Sequence, residues 1–119
     1  MVLDNITAVL SRFLACPELD YVLFSWVMHR EEIAETILSR LDLEGVRVYR
    51  CALLCAPETL RRRLEGDVRA GLRTPDAVDR GLSYLPLYRE QRIAKLMTDG
   101  LTPEEIAHRI VECAQGETI

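Results

Sequence analysis

Five arginines crowd one stretch of the chain, at Arg62, Arg63, Arg69, Arg73 and Arg80. Each offers a planar fork of donors matched to phosphate oxygens. Glu65, Asp67, Asp76 and Asp79 are interleaved with them, so the same arginines also suit ion pairing on a solvated helix surface. Trp26 presents a face for stacking on a planar substrate and equally a large body for core packing. His29 is of the residue type suited to acid–base chemistry, although no carboxylate is fixed beside it by sequence. The four cysteines, at positions 16, 51, 55 and 113, include no CxxC pair, and the chain has two histidines, so neither a zinc site nor a redox motif has its usual spacing. Cys51 and Cys55, four apart on an expected strand, stand about 13 Å from each other, beyond disulfide reach. Buried free thiols are expected.

The elements that must hold these residues follow from periodicity. Ile6, Val9, Leu10, Phe13 and Leu14 form one helical stripe over residues 4–14, with Asp4 as an N-cap and Pro17 beyond its end. Residues 21–26 (YVLFSW) are apolar without alternation, which predicts a strand buried on both faces of a parallel sheet. A helix over residues 31–41 carries Ile33, Ala34, Ile37, Leu38 and Leu41 on one face, stopped by Gly45. Residues 46–55 read as a second strand. Pro57 opens a helix over residues 57–65; Gly66, Gly71 and Pro75 interrupt the pattern; and residues 76–88 resume it. Two helices flanking a mobile Gly- and Arg-rich segment give the layout of a lid over about residues 61–80. Residues 92–97 supply a third strand and residues 98–100 a turn. Thr102, Pro103 and Glu105 then form a capping box for a closing helix whose last residues, 115–119, are expected to fray.

With 119 residues, 49% of them hydrophobic, the chain has material for one core and is expected to be a single domain over residues 1–119. The fold class expected is α/β in three layers, a short parallel sheet of about three strands flanked by helices. Fifteen basic residues against 19 acidic ones give a net charge of −4, which supplies no general attraction for a polyanion and disfavours nucleic acid as a partner. Asp20, Arg30, Glu31 and Glu32 interrupt the apolar region around Trp26, so no membrane span is expected. The first residues lack a positively charged start, and the compartment expected is the cytoplasm.

The order of elements, together with DYVLFSWVM at residues 20–28, Arg63, Leu64, Asp67, Gly71, Arg73, Arg80 and TDGLTPEEIA at residues 98–107, resembles the small P-loop kinases. The likeness is to the shikimate-kinase-like and adenylate-kinase-like nucleotide-binding proteins often labelled AAA-family ATPases in bacteria. It covers nearly the whole chain but only the back portion of that fold. The resemblance implies a phosphotransferase that uses ATP and Mg²⁺. Arg63 and Arg73 would be the leading phosphate contacts, with Arg62, Arg69 and Arg80 around them, Thr98 and Gly100 near the adenine, and Trp26 and His29 on the substrate side.

The motif GxxxxGK[ST] surrounds phosphates with backbone donors, a lysine and a hydroxyl for Mg²⁺. The chain's single lysine, Lys95, is followed by Leu96 and preceded by no glycine loop. The resemblance therefore implies an incomplete P-loop fold, no catalytic residue within these positions, and no tight binding of ATP. It also implies a fragment or truncated reading frame whose partner is the missing N-terminal segment or a second copy of itself. The alternative is a non-catalytic α/β module for protein interaction or self-association.

Overall fold

A computed structural model describes residues 1–116. In chain order the elements are α1 (Val2–Leu14), α2 (Glu31–Ser39), β1 (Cys51–Leu54), α3 (Pro57–Arg69), α4 (Asp76–Glu90), β2 (Ala94–Met97) and α5 (Pro103–Gly116). The chain divides into two compact units, Met1–Val48 and the remainder from Tyr49.

In the first unit α1 packs on α2, and Leu10, Ala34 and Ile37 are buried. Helix α1 starts two residues before Asp4, with Met1 at the cap, so Asp4 lies in the first turn instead of capping it. There its carboxylate accepts from Arg40 Nη1 at 3.1 Å, which ties the start of α1 to the end of α2. The strand expected over residues 21–26 is not formed: among the described residues no ladder pairs them, and Tyr21 and Leu23 are 72% and 88% exposed. Strand propensity is local, but a strand requires a neighbouring backbone for its donors and acceptors.

The second unit holds the sheet. Strands β1 and β2 run parallel in the register Cys51↔Ala94 to Leu54↔Met97, so the architecture is mixed α/β with two strands among the described residues where about three were expected. Burial alternates along β1: Ala52 and Leu54 are inside, whereas Leu53 is 52% exposed. Ala52, Leu54 and Leu85 form the core, with Leu60, Tyr88 and Ile93 packed against them. Removing side chains of this kind from water stabilises the fold by about 1.5–3 kcal/mol each.

Helix α3 runs through Gly66 to Arg69, so the interruption expected there is confined to residues 70–75, with Gly71 at φ 76°. Most of the segment read as a lid is thus regular helix. A Cβ at Gly81 on α4 would stand 2.6 Å from Leu64 Cδ1, so a side chain there would require the Leu64 methyl on α3 to shift. The capping box forms as expected: Thr102 N–H donates to Glu105 Oε1 at 3.1 Å, and Glu105 N–H to Thr102 Oγ1 at 3.2 Å. Gln115 and Gly116, expected to fray, close α5; the rest of that stretch lies outside the described residues. Among the described residues no helix is long and apolar enough to cross a membrane.

Candidate functional site

Parallel strands aim their carboxyl ends at the same side, which is where open α/β sheets place ligands. That end of β1 and β2 is a closed polar knot. The Leu54 carbonyl accepts from the Thr98 N–H at 2.7 Å and from Thr98 Oγ1 at 2.9 Å. With its proton committed there, Thr98 Oγ1 accepts from Arg63 Nη1 at 3.0 Å, while Arg63 Nη2 donates to the Thr98 carbonyl at 3.2 Å. Thr98 is buried at 4% exposure, so each of these bonds replaces water that cannot reach it.

The adjoining corner is held by Asp99. Helix α3 opens at Pro57 after Ala56, a residue with no side-chain oxygen to cap it. Asp99 supplies that oxygen from the far strand. Its Oδ2 accepts from the Ala56 N–H at 3.1 Å, and its Oδ1 from Thr59 Oγ1 at 2.6 Å. The Thr59 hydroxyl is the main reason the Asp99 carboxyl is held below its usual value, with the Ala56 amide and the Arg63 charge adding to it. Gly100, at φ 72°, turns the chain back toward Leu101, whose N–H reaches the Thr98 carbonyl at 3.2 Å. Buried Cys55 lies beside this knot, and burial pushes its thiol up, which keeps it protonated and a poor nucleophile.

The sequence-derived site residues are thus distributed unevenly. Arg63, Thr98 and Gly100 meet at one end of the sheet. Arg73 Nε is instead paired with Asp67 Oδ2 at 3.0 Å, and Arg80 Nη1 with Asp76 Oδ2 at 2.8 Å, both on the surface. Hydrogen bonding from Thr74, then the Arg80 charge, holds the Asp76 carboxyl down. Arg62 and Arg69 are exposed on α3. Trp26, at 42% exposure, and His29, half-buried, belong to the first unit. Cys51 is exposed, Cys16 and Cys113 half-buried and Cys55 buried, all as free thiols, so the burial expected of the four is complete only at Cys55.

Sequence reasoning passed over Asp99 and Thr59. The available signal was Ala56 at a helix start, a position that leaves amides in need of a cap from elsewhere.

The amide at the start of α3, the place where a phosphate would be drawn, already donates to Asp99. Among the described residues no three His, Cys, Asp or Glu side chains are placed to hold a metal ion. What the knot offers chemically is one guanidinium, with donors left over after Thr98 is served, beside a carboxylate that stays ionised. The chain matches no protein-family model, no curated protein and no solved structure.

Proposed function

We propose that residues 1–119 are the lid and carboxyl-terminal portion of a P-loop phosphotransferase, which passes the terminal phosphoryl group of ATP to a small hydroxylated substrate once a phosphate-binding loop is supplied. The observation that carries this reading is the pairing of β1 with β2 in parallel, each strand followed by a helix, with Arg63 on α3 fastened at the shared carboxyl end. An arginine-bearing helix that leaves a parallel strand at the ligand end of a sheet is well placed to steady transferring phosphates. In this reading Arg63 and Arg73 serve the phosphates, the Arg73–Asp67 pair opening when they bind. In the same reading the stretch 21–27, apolar and without a ladder, would become a strand once the upstream part of the sheet is supplied.

The test is direct. Residues 1–119 titrated with Mg·ATP in a calorimeter should show no tight binding. A chain extended upstream to include GxxxxGK[ST] after an apolar strand should bind and turn over ATP, and lose at least tenfold of that activity in Arg63→Ala. An upstream stop codon with no such motif sinks the reading.

A second reading, a non-catalytic α/β module for self-association or a protein partner, is favoured by the same exposed stretch, where Leu23, Trp26 and Val27 face solvent. An upstream stop codon with retained folding, and no nucleotide binding, selects it.

A further inference from the structure

We propose that residues 20–30 form a strand that pairs antiparallel with the same residues of a second copy, with Ser25 facing Ser25 across a two-fold axis. Tyr21, Leu23, Phe24, Trp26 and Val27 are exposed at 72%, 88%, 37%, 42% and 50%, and no ladder engages residues 20–27 among the described residues. Arg30, where α2 begins, lies in the extended region at φ −126° and ψ 140°. An exposed, apolar stretch of strand-forming residues without a ladder is a template for another strand.

Charge selects the occupant and the register. No charged residue lies between Asp20 and Arg30 except the titratable His29, and Asp20 and Arg30 themselves are both exposed. With Ser25 at the centre, Asp20 of each copy stands opposite Arg30 of the other, giving two ion pairs that close the ends of the ladder. Phe24 stands opposite Trp26 and Leu23 opposite Val27, cross-strand pairs of the favourable kinds. Because paired positions share a face, Val22, Phe24, Trp26 and Met28 form one continuous apolar strip, with Leu23 and Val27 on the other side. Parallel pairing in register would instead set Asp20 against Asp20. A slip of two residues would leave Asp20 opposite either Met28 or Glu32. The self-complementary arrangement is isologous, so it closes at a dimer and does not propagate into a fibre.

Sedimentation equilibrium of the full 119-residue chain, as wild type, Asp20→Arg, Arg30→Asp and an equimolar mixture of the two variants, tests this. The wild type is expected to dimerise. Each single reversal creates two like-charge contacts and should weaken the dimer about tenfold. The mixture should regain wild-type association, because a heterodimer restores both opposite-charge pairs. Both positions are exposed, and an aspartate at the residue 30 cap favours the start of α2, so folding is retained and circular dichroism verifies it. The neutral variants Asp20→Asn and Arg30→Gln should weaken the dimer less and fail to rescue each other. A chain that stays monomeric at every concentration, reversals without effect, or a mixture as weak as its components overturns the proposal.

Discussion

Two short apolar stretches of this chain have opposite fates as structure. Residues 21–27 carry the β-branched and aromatic side chains that favour strands and β1 carries none, yet β1 is laddered to β2 while the earlier stretch has no ladder among the described residues. The difference lies beyond the strands, at their ends. β1 delivers Leu54 to a carbonyl position where Thr98 donates to it twice, and Arg63 and Asp99 fasten the neighbouring helix to the same corner. Side-chain propensity alone does not decide which stretch joins a sheet; a neighbouring backbone, fastened at β1 by these polar contacts, does.

The contrast is sharpest for leucines. Leu54→Ala, at a position 4% exposed, should cost about 2–5 kcal/mol of stability in denaturant unfolding, because it empties the core between β1 and α4. Thr98→Val keeps the shape and removes the hydroxyl, leaving the Leu54 carbonyl and Arg63 each short of one partner; about 1–3 kcal/mol should be lost in the same assay.

Asp99→Ala should lower the unfolding midpoint by less and speed amide exchange at Ala56, since the start of α3 loses its cap. Acid should reproduce that variant. The folded Asp99 carboxyl lies below its ordinary value, so its stabilisation is present above the ordinary carboxylate range and is lost as pH falls through the lowered folded value. The stability difference between wild type and Asp99→Ala should therefore close on acidification; a gap that persists at low pH breaks the assignment of the cap. Smallest of all, Leu23→Ala, at 88% exposure, should change unfolding of the dilute chain by no more than about 0.5 kcal/mol. A loss comparable with that of Leu54→Ala would mean that residues 21–27 are held after all.

Helices were the legible part of this sequence. Their signals are local: the stripe of α1, Pro57 at the start of α3 and the Thr102 and Glu105 box of α5 each reside within a few neighbouring residues. The two strands that formed were legible in position, though shorter than their apolar runs. The stretch at 21–26 misled because burial was inferred from composition, whereas the backbone partner it needed is specified nowhere nearby. Arg63, Thr98 and Gly100 were visible as candidates, and the structure brings them together. That Arg73 and Arg80 are paired with Asp67 and Asp76 follows from the interleaved acids, one of two readings the sequence left open. The Asp99 cap was hidden because it joins residues 43 apart in the chain.

Asp99 gives the corner at α3 a resident tenant. Any free anion drawn to that amide meets a negative group already tethered there, and must first evict it. Its apparent grip is scaled down by the fraction of time the seat is vacant. The fold therefore arrives with a built-in competitor, and whatever moves the turn between Thr98 and Leu101 sets how strongly that competition is felt.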